Sequence, residues 1–114
     1  MKKAKNVKDT IYLEQIPNIG KSIANNLRLI AIKRPKDLYG KDPYKLYCKL
    51  CKRTQIRHDP CLLDVFISAV NFIEGHGKKP WWFFTKERKN NFHKIENLLN
   101  KYVSKARSKT FGCK

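Results

Sequence analysis

The sequence predicts an all-α fold, a compact bundle of five to six helices. Three observations lead to this prediction. Apolar residues recur at helical spacing, no strand-like alternation persists for long, and Asp-Pro pairs at 42–43 and 59–60 mark two helix starts. The chain has 114 residues, enough for one domain but not for two. We therefore expect one domain, with a basic lead over residues 1–6 and a basic tail over residues 105–114.

The first part of the chain contains three predicted helical elements. A first helix is expected over residues 6–15, because Asn6 is a capping residue and Pro17 stops the run. A second helix is expected over residues 21–30, where apolar residues recur at helical spacing. A short helical turn follows over residues 35–39, and the next residue, Gly40, ends it.

The second part contains three further predicted segments. The Asp-Pro pairs begin helices over residues 43–54 and 60–74, since the aspartate caps and the proline fits the first helical position. No Lys or Arg occurs between positions 57 and 78, so the second of these helices is predicted to be the central buried one. An extended aromatic segment over residues 79–84 follows, and Thr85 is expected to cap a last helix.

The net charge of the chain indicates which classes of molecule it could bind. Lys plus Arg number 26 and Asp plus Glu number 9, so the formal net charge is +17 and the sequence pI is about 10.0. Such a charge favours nucleic-acid binding, and also fits anionic membranes or simple solubility. A hydrophobic fraction of 41% excludes a disordered basic tail. No apolar run approaches the ~18 residues of a membrane span, and no signal core follows the basic start, so we expect a soluble cytoplasmic protein.

The segment over residues 13–24 is the most informative for function. It reads Leu-Glu-Gln-Ile-Pro-Asn-Ile-Gly-Lys-Ser-Ile-Ala, a tight turn closed by Gly20 and followed by a helix. The first N–H groups of a helix have no partner inside the helix and attract anions, phosphate above all. Glycine before such a helix lets a ligand approach the backbone closely. In so basic a chain, we expect the phosphate to come from a nucleic-acid backbone.

This segment resembles a helix-hairpin-helix motif, a sequence-independent reader of the DNA backbone. The resemblance implies phosphate binding by backbone N–H groups at the turn, sometimes beside a bound monovalent cation. It also implies that Ile19 fills the core between the two helices and that Lys21 adds charge. The implied turn is Asn18-Ile19-Gly20, and the implied donors are Gly20, Lys21, Ser22 and Ile23.

Three residues depart from the motif. Asn18 stands in place of its first glycine, which is tolerable because asparagine visits the left-handed backbone region more readily than most residues. Ala31 stands where such domains usually have glycine after the second helix, at a cost of about 1 kcal/mol if the left-handed geometry is kept. Arg34 stands where a capping threonine is common.

A second resemblance covers roughly residues 12–89. The motifs that carry it are Ile16-Pro-Asn-Ile-Gly20, Asp42-Pro43-Tyr44, Leu50-Cys51, Arg57-His58-Asp59-Pro60-Cys61, Asp64-Val65-Phe66 and Pro80-Trp81-Trp82. Together they are similar to the bacterial pathogenicity-locus helix-hairpin-helix family, also labelled as mitomycin-resistance proteins. The resemblance implies a SAM-domain-like bundle, and it indicates a fold more directly than a function.

These observations predict sequence-independent binding to nucleic acid, duplex DNA above all, in DNA repair or genome maintenance. The predicted contacts are Asn18, Ile19, Gly20, Lys21, Ser22, Ile23, Lys33, Arg34 and Lys36. Residues 43–74 form a candidate degenerate second hairpin, which lacks glycine and is expected to pack rather than to bind phosphate. The alternatives are a SAM-like protein-interaction module and a zinc- or thiol-dependent resistance factor of unknown mechanism.

The cysteines allow three interpretations. Cys48, Cys51, His58 and Cys61 have the residue types of a structural zinc site. Against zinc, the first two lie within an apolar helical pattern, where cysteine behaves as a small hydrophobe. Cys61 could instead be a reactive thiol, since it lies near a helix start beside His58. In the cytoplasm all four cysteines, Cys113 included, are expected to be reduced unless they bind metal.

The remaining features favour a binding protein over an enzyme. No nucleophile-base-acid arrangement or phosphate-binding glycine loop is visible, and Asp59 and Asp64 are expected to be a helix cap and a surface charge. The aromatic run Trp81-Trp82-Phe83-Phe84 could stack on unpaired bases. The alternative that we favour is that it closes the core and leaves one tryptophan exposed.

Overall fold

The computed structural model describes residues 3–103 and 108–109, and it confirms the all-α fold. The described residues form five α-helices: α1 (Lys21–Leu29), α2 (Pro43–Thr54), α3 (Pro60–Ile73), α4 (Thr85–Asn91) and α5 (His93–Tyr102). Four short 3₁₀ turns accompany them, at Val7–Asp9, Leu13–Gln15, Pro35–Leu38 and Trp81–Phe84.

A two-residue parallel pairing joins β1 (Arg57–His58) to β2 (Ser108–Lys109), with Arg57 opposite Ser108 and His58 opposite Lys109. Apart from the backbone of β2, the predicted basic tail over residues 105–114 lies outside the described residues.

Helix α3 is the central helix of the bundle, as its lack of basic residues predicts. Every residue of α3 except Pro60 and Asn71 is buried, and α3 packs against α2, α4 and two of the 3₁₀ turns. Both predicted helix starts are confirmed. Asp42 accepts a hydrogen bond from the Tyr44 N–H at 2.9 Å, and Asp59 accepts one from the Cys61 N–H at 2.9 Å. The start of α3 is therefore already capped, consistent with a packing role for residues 43–74.

The predicted first helix over residues 6–15 is wrong, because two 3₁₀ turns separated by extended backbone replace it. Asn6 does cap the first turn, through a 3.2 Å hydrogen bond from the Asp9 N–H. The Gln15 side chain then accepts hydrogen bonds from the N–H groups of Ile11 and Tyr12 at 2.8 and 2.9 Å. Since a continuous helix would direct those N–H groups to backbone carbonyls, this local alternative ends it.

Four further predictions in the second half of the chain are also corrected. The aromatic segment contains a 3₁₀ turn at Trp81–Phe84 rather than being extended throughout, and the last helix is divided into α4 and α5 at Phe92. Thr85 does not cap a helix; its hydroxyl donates to the Asp64 carboxylate at 2.7 Å. Asp64 is fully buried rather than a surface charge, because it lies on the core side of α3 and pairs with Arg88.

Candidate nucleic-acid interface

The segment over residues 13–24, called the hairpin below, folds as a tight turn between a 3₁₀ turn and α1. Its first arm is the single 3₁₀ turn at Leu13–Gln15 rather than a full helix. The Ile19 N–H donates to the Ile16 carbonyl at 3.1 Å, and both isoleucine side chains are fully buried. Ile19 therefore fills the core beneath the turn, as the motif implies.

Asn18 adopts the left-handed conformation that the sequence predicts for it, with φ +72°. Its side-chain amide also donates to the Ser68 hydroxyl at 3.0 Å and to the Lys79 carbonyl at 2.9 Å. The Ser68 hydroxyl in turn donates to the same carbonyl at 3.1 Å. The turn is thus fastened both to α3 and to the chain that leads into the aromatic 3₁₀ turn.

The start of α1 is open to solvent. Gly20 is the N-cap residue, and Gly20, Lys21 and Ser22 are exposed while Ile23 is buried. No side chain among the described residues caps this helix, so its first N–H groups keep their capacity to bind a ligand.

Gly20 has no conformational need to be glycine. Its φ of −95° and ψ of −175° are extended values that any L-residue adopts. A Cβ placed on Gly20 would meet no described atom within 4 Å. Neither strain nor internal packing accounts for glycine at this position.

Two lysines, Lys3 and Lys21, lie beside the turn of the hairpin. The Lys3 ammonium donates to the carbonyl of Glu14 at 2.8 Å and also to the carbonyl of Ile19, and these residues line a shallow depression with Gly20 and Lys21. Burial lowers the pKa of Lys3, and the Glu14 carboxylate opposes that shift. The ammonium thus occupies carbonyl oxygens of the kind that a monovalent cation would use.

Glu14 is the acidic residue of this depression, and it is paired. Its carboxylate accepts hydrogen bonds from the Arg28 guanidinium at 2.9 and 3.1 Å. The hydrogen bond from Arg28 is the main cause that holds the pKa of Glu14 below its ordinary value. The Arg28 side chain therefore offsets the one carboxylate that lines the depression beside Gly20.

The other predicted basic contacts lie at the opposite end of α1. Lys33, Arg34 and Lys36 are exposed after the helix, which at nine residues is about 13 Å long. The N–H groups of Lys33 and Arg34 donate to the Asp37 carboxylate at 3.1 and 3.0 Å, and hold its pKa below the ordinary value. The structure therefore does not gather all predicted contacts at one point, but divides them between the start of α1 and the segment that follows its end.

A depression of about 400 Å³ adjoins this second basic segment. Lys36, Lys41 and Lys49 contribute to its lining, together with Asp37. Ala31 also lines it and has φ +69°, so the left-handed geometry at the end of α1 is kept although the residue is not glycine.

The structure does not gather Cys48, Cys51, His58 and Cys61, the residues proposed for zinc, into one metal-ligating group. No group of three His, Cys, Asp or Glu side chains among the described residues is placed to hold a metal ion. Cys48 and Cys51 are buried free thiols; burial raises the pKa of Cys48 to about 11 and also raises that of Cys51. The His58 Nε2 lies 3.0 Å from the Thr54 hydroxyl at the end of α2.

The remaining two cysteines are Cys61, in the first turn of α3, and Cys113. Cys61 is disulfide-bonded, contrary to the reduced thiol that the sequence predicts. Cys113 lies outside the described residues.

Sequence reasoning missed the contributions of Lys3 and Ser68. Lys3 carries no local signal, because its partners lie 11 and 16 positions away. Ser68 does carry one, since it is a polar residue within the apolar run of α3. A buried hydroxyl requires a hydrogen-bond partner, and here the partners are Asn18 and Lys79.

The comparisons with known proteins agree with the sequence resemblance. The family model described as "Pathogenicity locus" matches residues 6–90. The chain is also 40% identical over 77 residues to the mitomycin resistance protein McrB of Streptomyces lavendulae, covering 68% of this chain and 73% of that protein. No solved structure matches the chain significantly. In the described part of the chain, none of the helices combines the length and apolarity needed to cross a bilayer.

Proposed function

Because this chain belongs to the pathogenicity locus family, whose name states no biochemical activity, we propose from its hairpin that it binds the phosphate backbone of nucleic acid. The ligand that we favour is duplex DNA, and binding does not depend on the base sequence. The exposed, uncapped start of α1 supplies N–H donors at Gly20, Lys21 and Ser22. A helix start with these properties favours anions.

One observation carries this proposal: neither backbone strain nor internal packing requires glycine at position 20. Its backbone is extended and the space beside it is open. A glycine at this position lets a molecule outside the chain come close to the backbone N–H groups. The basic surroundings favour an anionic molecule, and a nucleic-acid backbone presents phosphates in series.

The hairpin alone supplies few phosphate contacts, so affinity must come from a wider surface. The basic segment at Lys33, Arg34 and Lys36 follows the other end of α1, a helix about 13 Å long. A backbone that passes along this helix would meet N–H donors at one end and lysine and arginine side chains at the other. Such a surface favours binding with a strong dependence on salt.

Fluorescence anisotropy with a labelled duplex, repeated over a salt series, tests the proposal. A phosphate-backbone ligand predicts that log affinity falls linearly with log salt, with a slope near −0.9 for each phosphate engaged. A salt-insensitive interaction, or none, would contradict it and would favour the protein-interaction alternative.

Two variants at one position separate binding from folding. Gly20→Asp supplies a good N-cap and should keep or raise stability, yet it places a carboxylate where the phosphate would lie, so we expect at least a tenfold loss of affinity. Gly20→Ser is a neutral cap that occupies the same N–H groups, so we expect a smaller loss. Asn97→Asp, on the exposed side of α5, is the control with the same change in net charge. Equal affinity of Gly20→Asp and Asn97→Asp for the duplex would show that the hairpin does not bind it.

The name of the relative from Streptomyces lavendulae favours a second candidate function, a role in resistance to mitomycin. Cells that produce this chain can be compared with cells that do not, in growth with increasing mitomycin. If resistance depends on backbone binding, Gly20→Asp should fail to protect while Asn97→Asp protects. Protection by both variants would separate resistance from the hairpin.

A further inference from the structure

The aromatic 3₁₀ turn divides its four side chains between the core and solvent. Phe84 is buried and Trp81 packs against the core. Trp82 and Phe83 are exposed, at 63% and 59% of their surface. Closing the core therefore accounts for two of the four rings and leaves a large apolar surface in contact with water.

The two exposed rings are held in defined orientations. Trp82 lies edge-to-face on Trp81, with ring centroids 5.6 Å apart and planes at 87°. Phe83 makes the same kind of contact with Phe84, at 5.1 Å and 74°. Each exposed ring thus packs against an inner ring, which restricts its motion. Less side-chain entropy is therefore lost when a ligand stacks on the exposed ring.

This turn is fastened to the hairpin. The Asn18 amide donates to the Lys79 carbonyl at 2.9 Å, and Trp82 follows Lys79 by three residues. Three residues span at most about 10 Å, so the backbone of Trp82 lies within about 10 Å of Lys79, the residue that Asn18 of the hairpin contacts.

The charges around the rings favour an anionic ligand over a protein. The Lys79 ammonium lies 4.9 Å from the centroid of the Phe83 ring, and Lys78 and Lys86 are exposed on either side of the turn. Glu87 is the nearby acidic residue in sequence. Lysine is depleted in the buried centre of protein–protein interfaces, whereas exposed aromatic rings among cations are typical of single-strand nucleic-acid sites.

We propose that Trp82 and Phe83 form a base-stacking site that continues the hairpin surface. This proposal rests on the proposed function and refines its ligand: the preferred DNA has unpaired bases next to a backbone held by the hairpin. Every base has a π-face, so the site adds affinity for unpaired nucleotides without selecting a sequence.

The test compares a short oligothymidine with a blunt duplex of equal length, in one buffer, with the full chain. Trp82→Ala should weaken oligothymidine binding roughly tenfold and leave blunt-duplex binding within about twofold. Trp82→Phe keeps a stacking ring and should retain most of the affinity. Leu98→Ala is the control, since Leu98 is an exposed apolar residue on α5, a helix that contributes no residue to the hairpin, the second basic segment or the aromatic turn.

Tryptophan fluorescence gives a second readout. Stacking of thymine on Trp82 should quench the emission of the protein, and Trp82→Phe should remove most of that quenching while Trp81 still emits. Quenching that is unchanged in Trp82→Phe would overturn the proposal, because it would then come from another site.

The outcomes distinguish this proposal from the proposed function. Loss of binding in Gly20→Asp, with no effect of Trp82→Ala on oligothymidine, would reject the stacking site alone. An equal loss for both DNA forms in Trp82→Ala would also reject it. Absence of salt-dependent binding by the unaltered protein would reject both, and would leave the rings as a surface for a protein partner.

Discussion

The Arg88 guanidinium of α4 lies 2.9 Å from the Asp64 carboxylate of α3, and both side chains are buried. A second guanidinium nitrogen lies 3.4 Å from the other carboxylate oxygen, which also accepts the Thr85 hydroxyl at 2.7 Å. This group connects the central helix to the helix that follows the aromatic turn. The geometry has a direct consequence for stability, since either charge would be costly if left alone in the core.

We therefore expect Asp64→Ala to lower the free energy of unfolding by about 3–5 kcal/mol, because it leaves Arg88 buried without its partner. Urea denaturation followed by circular dichroism measures the change. The double variant Asp64→Leu with Arg88→Met replaces the pair with apolar side chains and should recover most of the loss. If the single variant costs less than about 1 kcal/mol, the pair is not the buried contact described here.

The buried pair also shows what the sequence could and could not predict. Helices α2 and α3 were predicted closely because their start signals, an aspartate cap and a following proline, act within three residues. The sequence predicts a surface position for Asp64, because nothing near it in sequence indicates its partner, which lies 24 positions further along the chain. An acidic residue in the apolar run of α3 was nevertheless a usable signal, since a carboxylate buried there requires a cation.

The candidate site divides in the same way. The left-handed turn at Asn18 and the exposed start of α1 follow from local residue types and were predicted. The contacts of Asn18 with Ser68 and Lys79 join positions 50 and 61 residues apart, and no periodicity indicates such a pairing. The prediction of a first helix was wrong because the Gln15 side chain accepts hydrogen bonds from the N–H groups of Ile11 and Tyr12. In a continuous helix those N–H groups would bond to backbone carbonyls.

Two residues have left-handed backbones, and exchanging alanine and glycine at these positions should change the free energy of unfolding in opposite directions. Ala31 has φ +69°, and Gly40 has φ +74° with open space around its missing Cβ. Ala31→Gly removes backbone strain and should raise the free energy of unfolding by about 0.5–1 kcal/mol, while Gly40→Ala should lower it by about 1 kcal/mol. Thermal denaturation measures both changes. Similar shifts of the same sign would contradict the backbone assignment.

The thiol of Cys48 should make stability fall at high pH. Burial raises its pKa to about 11 in the folded chain, from an ordinary value of 9.0. Because the folded pKa is the higher one, this contribution is complete below about pH 9 and is lost as the pH rises through about 11. The loss over that window should be on the order of 2 kcal/mol.

Urea denaturation at several pH values measures this loss. Cys48→Ala is the control, since it keeps the lysine titrations and removes the thiol, so its stability should fall less over the same window. Equal slopes for the two proteins would show that the thiol ionises without cost. Slow reaction of the native protein with a thiol reagent at neutral pH is expected for the same reason, since the thiolate is the reactive form.

The Lys3 ammonium should make the hairpin independent of monovalent cations. It donates to the carbonyls of Glu14 and Ile19, and Lys3→Met removes both hydrogen bonds while keeping a side chain of similar length. We expect a loss of about 1 kcal/mol, or about 4 °C in Tm. The vacated carbonyl oxygens suit a small cation, so potassium chloride should raise the Tm of the variant above its value in choline chloride at equal ionic strength.

The unaltered protein should show no such difference between the two salts, because its own ammonium already occupies the oxygens. Lys8→Met is the matched control, with the same change of charge at an exposed residue of the Val7–Asp9 turn. It should behave like the unaltered protein in both salts. A potassium-dependent Tm in all three proteins would mean that a cation binds elsewhere. A Tm of Lys3→Met equal to that of Lys8→Met in both salts would mean that Lys3 does not stabilise the turn.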